Sequence, residues 1–339
     1  MPRFIGEIAL PYNPPAFGQI RLAVRRHLRA TGLIPARGAA RKKDIHSLKV
    51  ACGLSGGADS LALVCALVAE GAKVESLTVD HGLQESSAEV AARAADTARR
   101  AGATPRVLTV TVDGAPGATR EAEARAARYR ALGKAADGRP LFIAHTQNDQ
   151  AETFLLAALR GTATGMRPVS PNAYVPGGQV HRPLLHIPRE TTAEACHELD
   201  LEPWADPQNF DPAFLRVAVR TQVLPALVDA TNTAPIAALA IAARRAADNA
   251  QAVACWARAI DARAVCDLAG VPRAVRREAL AGLIRACGGN VTVASVDAAE
   301  KLICAWHGQG AVAVGGGVAI KRRGTRLETV PEAGRSARS

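Results

Sequence analysis

From Lys49 onward, short apolar runs alternate with longer amphipathic stretches. The two-residue period predicts strands over 49–54, 73–79, 105–111 and 140–144, and the helical period predicts helices over 59–70, 86–102, 119–136 and 148–160. Such alternation gives an α/β fold, a parallel sheet with helices on both faces. Ligands of these sheets sit at the carboxyl ends of the strands. Three polar segments fall at that edge: 55–60, 80–84 and 145–152.

The flanks read differently. Residues 1–18 are irregular with Pro11, Pro14 and Pro15; 19–31 form a basic helix around Ile20, Leu22, Val24 and Leu28; 35–47 form a polar loop. A Gly/Pro-rich connection follows over 161–185, then helices over 189–229, broken near Pro203 to Pro212. An alanine-rich helix runs from about 235 to 264, and Gly310 to Val314 with Gly317 to Lys321 reads as a hairpin. The expected organisation is a basic N-terminal helix and loop (1–48), a catalytic domain (49–230), a smaller helical or α+β C-terminal domain (235–328) and a disordered tail (329–339).

Nearly half of the 339 residues are hydrophobic, so a sizeable core is available. The net charge of +11 favours a polyanionic partner such as nucleic acid. Residues 1–50 hold ten Lys/Arg against Glu7 and Asp44, so charge is concentrated at the N-terminal end. The last twenty residues hold six basic side chains against Glu328 and Glu332. The seven cysteines form no CxxC pair, which excludes a zinc ribbon and a disulfide framework. Most lie in apolar surroundings and read as small buried residues of a cytoplasmic protein. No apolar run of membrane-spanning length occurs, and Met1-Pro2-Arg3-Phe4 lacks the apolar core of a signal peptide. The chain could act as a homodimer.

The segment Ser55-Gly56-Gly57-Ala58-Asp59-Ser60 lies between a strand and a helix. Small residues there let backbone N–H groups crowd around an anion, with the helix N-terminus adding favourable field. Asp59 beside a phosphate makes sense if Mg²⁺ lies between them. An ordinary strand-to-helix turn with Asp59 and Ser60 as caps is the alternative. The Walker spacing is absent, and so is the dinucleotide fingerprint. Asp80-His81 follows the second strand, where an acid can accept from ribose or simply cap a helix. Asp149 and Glu152, three apart, share a face at a helix start. They suit Mg²⁺ or an incoming amine, although Thr146-x-x-Asp149 also fits a capping box.

The loop resembles the SGGxDS loop of the PP-loop ATP pyrophosphatases, which cut ATP between the α and β phosphates. The series Ser55–Ser60, Val79–Leu83, Glu121 with Arg125, Arg128 and Tyr129, Ala144–Thr153, Arg160-Gly161 with Gly165-Met166, Arg182–Leu185, and Trp204 to Asn209 with Arg216, Arg220, Leu224 and Pro225 resembles the bacterial tRNA(Ile)-lysidine synthetases. The likeness covers about 49–229, and 271–327 is similar to the family's first C-terminal domain. The last domain of longer members is absent, as in short forms.

The resemblance implies an ATP-dependent ligase that adenylates the wobble cytidine of the CAU-anticodon isoleucine tRNA and joins L-lysine to it. It implies that Ser55, Gly56, Gly57, Asp59 and Ser60 cradle ATP and Mg²⁺, with Val79 and His81 by the adenosine. Asp59, Asp149 and Glu152 are the implied acids for metal binding, and Asp149 and Glu152 also for positioning and deprotonating lysine. Arg125 is a candidate for neutralising phosphate in the transition state, with Arg128 second or paired to Glu121. Arg160, Arg216 and Arg220 are candidates for tRNA contact; Arg216 and Arg220 have pairing to Asp206 or Asp211 as the structural alternative.

Three departures stand out: Thr146 where the family often has a second His, Asn148 where it often has Asp, and a shortened Arg160 to Met166 loop. These motivate a rival reading, a degenerate tRNA-binding homologue. Another PP-loop tRNA-modifying enzyme is the second rival. Sulfur transfer is disfavoured, because Cys52 and Cys65 flank the loop without forming a CxxC.

Overall fold

The computed structural model describes residues 3–4, 7–11, 14–35, 47–80, 87–110, 120–204 and 215–332. They belong to two compact units, 1–245 and 246–339. The division falls inside helix Pro235–Arg258, later than the expected start of the second domain at 235.

The first unit opens with a short antiparallel pair, β1 (Arg3–Phe4) and β2 (Ala9–Leu10). Its main sheet contains β3 (Lys49–Gly53), β4 (Lys73–Asp80), β5 (Thr104–Thr109), β6 (Leu141–Phe142), β7 (Val169–Pro171) and β8 (Gln179–His181). Their spatial order is β5-β4-β3-β6-β8-β7. The first five in that order run parallel, and β7 is antiparallel to β8. Short strands β7 and β8 lie in the Gly/Pro-rich connection, which the periodicity left without elements.

The two faces of the sheet bury alternate residues, as a two-residue period requires. Val50 and Cys52 of β3 and Phe142 of β6 join one core with Leu61, Leu63, Val64 and Leu67 of helix Ala58–Ala69. Ala51 and Leu141 point the other way, onto Leu132 and Ala136 of helix Arg120–Ala136. Both faces are thus covered, which accounts for the near-continuous apolar strands.

Helix Pro15–Ala30 begins earlier than expected, with Pro15 at a position where its missing N–H costs nothing. It is part of the first unit's core, burying Phe17, Ile20, Val24 and Leu28. Its basic residues are partly spent on this docking. Glu70, at the end of the loop helix, accepts from Arg21 Nε at 2.9 Å and from Arg25 Nε at 2.6 Å and a terminal nitrogen at 2.8 Å. The helix's first N–H groups, Ala16 and Phe17, donate to the Glu198 carboxylate at 3.0 and 2.7 Å. His27 and His181 meet at 3.0 Å below it.

The second unit packs helices Arg273–Ala286 and Val293–Cys304 against an antiparallel sheet of β9 (Val312–Gly315), β10 (Val318–Arg323) and β11 (Arg326–Pro331). The expected hairpin is β9 and β10. Residues Thr329 to Pro331, read as the start of a disordered tail, continue β11 opposite Ile320 to Val318. Leu327 is buried, and the Thr-Val pair behind it favours extended backbone. Residues 333–339 lie outside the described residues. Among the described residues no single helix is long and apolar enough to cross a membrane.

Glu70 is the shared acceptor of two arginines and is nearly buried, with 4 % of its side chain exposed. Glu70→Ala leaves buried Arg21 without its carboxylate and should destabilise the first unit by about 3 kcal/mol. Urea unfolding checks this, and a loss below about 0.5 kcal/mol would show the pair to be incidental.

Candidate active site at the switch point of the sheet

The chain leaves β3 toward β4 on one side and returns to β6 on the other, so the loops after β3 and β6 face each other at one edge. The pairing of Cys52 with Phe142 sets these two strand ends level. This is the crevice where open parallel sheets bind ligands.

The loop after β3 is self-bonded. Ser60 Oγ donates to the Gly57 carbonyl at 2.9 Å and accepts from the Ser55 N–H at 3.2 Å, and the two serine hydroxyls lie 3.2 Å apart. Gly56 adopts φ +84°, a backbone conformation that favours glycine, while a Cβ there would make only an ordinary 3.4 Å contact with Ala94 Cβ. Its carbonyl accepts from the Trp204 N–H at 3.0 Å, which ties the Trp204 segment to the loop. Gly57 precedes helix Ala58–Ala69 without a side-chain cap, leaving the helix terminus open toward an anion. Val79 is half-buried at the end of β4; His81 lies outside the described residues.

The loop after β6 leads into helix Gln147–Ala158. Asp149 serves two ends. Oδ2 accepts from the Thr146 N–H at 2.8 Å and hydroxyl at 2.9 Å, the capping interaction read from the sequence. Oδ1 faces guanidinium groups, Arg189 at 3.0 Å, Arg216 at 3.3 Å and Arg220 at 3.8 Å. Glu152, fully buried, takes the same three: Arg216 Nε and Arg220 Nε each at 2.7 Å, and Arg189 at 3.4 Å. Asp59 accepts a short bond from Thr192 Oγ1 and pairs with Arg189 Nε at 3.5 Å.

Arg216 and Arg220 therefore meet Glu152 and Asp149; Asp206 and Asp211, their alternative partners, lie outside the described residues. They sit on Leu215–Thr231, whose middle, Val219–Val223, is wound as a π-helix. Pro225 has no N–H to give the Thr221 carbonyl, a local cause for irregular winding, and π turns recur at functional sites. Arg189 was not among the sequence candidates, yet it touches all three acids. A signal for it exists. It occupies the first turn of helix Arg189–Glu198, where the helix field disfavours a cation unless carboxylates face it.

A Mg²⁺ shell built from Asp59, Asp149 and Glu152 does not fit this arrangement. Their oxygens are engaged by guanidinium groups and by Thr146 and Thr192, and among the described residues no cluster of three or more acids, His or Cys suits a metal. The same contacts set protonation. Burial works against the charge of Asp149, but Arg189, His145, Arg216 and the Thr146 N–H override it and hold the carboxyl well below the usual range. Asp59 goes the other way: burial, with Asp149 nearby, raises its carboxyl despite Arg189 and Thr192. The more basic carboxylate is thus Asp59, so Asp149 is the poorer proton acceptor of the two. Asn148 Oδ1 accepts from the Arg189 N–H at 3.0 Å.

Arg125 belongs to a second chain of contacts. Arg182 Nε donates to His145 Nδ1 at 3.2 Å, which leaves His145 Nε2 to donate to Tyr129 OH at 3.0 Å. Arg125 lies over the Tyr129 ring, 5.1 Å from its centroid, and is exposed. It does not touch the acids. Arg128 is exposed on the same helix and has a partner of its own, and the side chain of Glu121 lies outside the described residues. Arg160 is exposed beyond the end of helix Gln147–Ala158. The loop it opens is pinned at its far end, where the Gln150 side chain brackets Met166 through both backbone groups at 2.8 Å.

Cys52, Cys65 and Cys196 are buried, and burial pushes the latter two up to about 12 and raises Cys52 as well. The other four are not core residues; Cys255, Cys266 and Cys304 are exposed and Cys287 is half-buried.

A PP-loop domain model matches residues 36–227, placing the chain in the class of proteins that this loop and sheet define. The chain is 42% identical over 342 residues to a tRNA(Ile)-lysidine synthase of Corynebacterium glutamicum, covering 99% of this chain and 98% of that one. It is 48% identical over 317 residues to the enzyme of that name from Corynebacterium diphtheriae, covering 94% and 97%. The chain belongs to the tRNA(Ile)-lysidine synthase family. Among solved structures, a U34-tRNA thiolase of Methanococcus maripaludis shares the fold at a TM-score of 0.53 and 17% identity, over 68% of this chain and 78% of that one.

Three buried histidines bear on pH. Burial lowers His27 and His181 to about 4 and His145 to about 3. Each stays neutral in the folded chain and takes a proton only on unfolding once the pH is below about 6.5. Stability should therefore be full above that value and fall from about pH 6.5 to 4, by up to about 1.4 kcal/mol per pH unit per histidine. Urea unfolding at about pH 7 and pH 5 measures it; equal stabilities would overturn the assignment.

Proposed function

We propose that this chain forms lysidine on tRNA(Ile). ATP adenylates the C2 carbonyl oxygen of the wobble cytidine in the CAU anticodon: O2 attacks the α-phosphorus and pyrophosphate leaves. The ε-amine of L-lysine then attacks C2, the C2–O bond breaks, AMP carries that oxygen away, and the amine loses a proton. The observation that supports this most is the ion-pair bridge through Arg189, which makes the phosphate loop and the buried acid pair one site.

Ser55, Gly56, Gly57 and Ser60 hold the phosphates, chiefly with backbone donors and the Ser55 hydroxyl, and the adenosine is assigned to Val79 and His81. Asp59 is the acid nearest the phosphate loop, and Mg²⁺ bound with ATP would supply neutralisation of the phosphate charge there. Asp149 and Glu152 receive the lysine ammonium. Asp59, its carboxyl raised by burial, is the better proton acceptor for making the amine neutral. Arg216 and Arg220 fix Glu152, and their N–H groups not bonded to the acids suit contacts to the activated cytidine. Arg125, Arg128 and Arg160 are exposed and suit phosphate and tRNA contacts. The reaction belongs to the cytoplasm, where its tRNA is.

Release of AMP and incorporation of labelled lysine, followed with the CAU-anticodon isoleucine transcript, test the reading. Both should require tRNA, and AMP release should also require lysine. Asp149→Ala should cut lysine incorporation by about a hundredfold or more. AMP turnover without lysine incorporation, or wild-type incorporation in that variant, would sink it. ATP binding with no AMP formed would favour the degenerate tRNA-binding homologue.

A further inference from the structure

The charge count of the site bears on the order in which its substrates bind. Asp59, Asp149 and Glu152 face Arg189, Arg216 and Arg220, three carboxylates against three guanidinium groups. That cluster is already neutral. A lysine ammonium would add a fourth cation beside a carboxylate that is fully buried. An excess charge in such surroundings is costly unless one cation leaves or an anion enters.

Contact lengths identify the cation free to leave. Arg216 and Arg220 each set Nε 2.7 Å from Glu152, and each adds longer contacts to Asp149. Arg189 makes no contact that short, holding Asp149 at 3.0 Å, Glu152 at 3.4 Å and Asp59 at 3.5 Å. Among the described residues it is also the cation paired with Asp59 of the phosphate loop. About a quarter of its side chain is exposed, 26%. Phosphate oxygens on that loop would offer its planar fork a more highly charged acceptor than any one carboxylate.

We propose that Arg189 is a positioning residue that passes from the acid pair to the ATP phosphates, freeing Asp149 and Glu152 for the lysine ammonium, so that ATP binding strengthens lysine binding. The proposal rests on the reading that lysine meets those two acids. By linkage, lysine strengthens ATP binding by the same factor.

Equilibrium dialysis of labelled lysine tests it, with the CAU-anticodon transcript present throughout. The measurement is made with and without Mg²⁺ and an ATP analogue carrying a methylene between the α and β phosphates. The analogue should tighten lysine binding by about tenfold in the wild type. In R189M the factor should fall to within about twofold, with lysine binding measurably even without the analogue. R189K keeps the charge but cannot span three acids, and its factor should fall by about threefold or more; it decides the matter if R189M does not fold. Equal affinities in the wild type, or an undiminished factor in the variants, overturn the proposal. Lysine that binds in neither state refutes the lysine site itself, which is a different failure from uncoupled binding.

Discussion

A fully buried glutamate with three guanidinium groups on it is the constraint around which the catalytic unit is arranged. Glu152 exposes nothing, and Arg189, Arg216 and Arg220 all reach it. An unpaired carboxylate in that position would be strongly destabilising, so the elements carrying its partners are not free to drift. Those elements are far apart in sequence. Glu152 comes from the helix after β6, Arg189 from the start of helix Arg189–Glu198, and Arg216 and Arg220 from the irregular Leu215–Thr231 helix. The ion cluster therefore ties these three elements together at the edge of the sheet.

Chemistry follows from the asymmetry of the cluster. Asp149 lies among guanidinium groups and the N–H of Thr146, and is held ionised. Asp59 has one arginine, one hydroxyl and a like charge nearby, and burial prevails. Two carboxylates bridged by one arginine thus hold protons with different strength, one suited to holding a cation and the other to taking a proton. The two acids stand on separate loops of one sheet edge, Asp59 after β3 and Asp149 after β6.

Much of this was legible in the chain. The alternation of periods gives the sheet and its covering helices, and the small-residue run at 55–60 and the acids at 149 and 152 mark the edge. What escaped is short or long-range. Strands β7 and β8 span three residues each, too few for a period, whereas β6 lies inside the strand expected over 140–144. The basic helix at the N-terminus looked like a surface for nucleic acid, yet Arg21 and Arg25 are taken by Glu70, and that pairing joins residues 45 or more apart. Arg216 and Arg220 were legible as important and not as partners of Glu152, since periodicity carries no information on contacts at that separation. For the same reason the sequence displays the three carboxylates and not the guanidinium groups folded onto them.

Helix Arg189–Glu198 carries the argument one step further, because it is anchored at both ends by charge. At its start Arg189 holds the three acids, with its own N–H on Asn148. Thr192, one turn on, reaches Asp59 of the phosphate loop. At its end Glu198 caps helix Pro15–Ala30 through the N–H groups of Ala16 and Phe17. A carboxylate at a helix N-terminus is favourable, and an arginine at one is not, so the first end needs anions facing it, as the acids do here. Asn148 also acquires a reason here. An aspartate in its place would bring a fourth carboxylate into a balanced set, whereas the amide oxygen satisfies the helix N–H without adding charge. The substitution that seemed to weaken the site keeps its charges even.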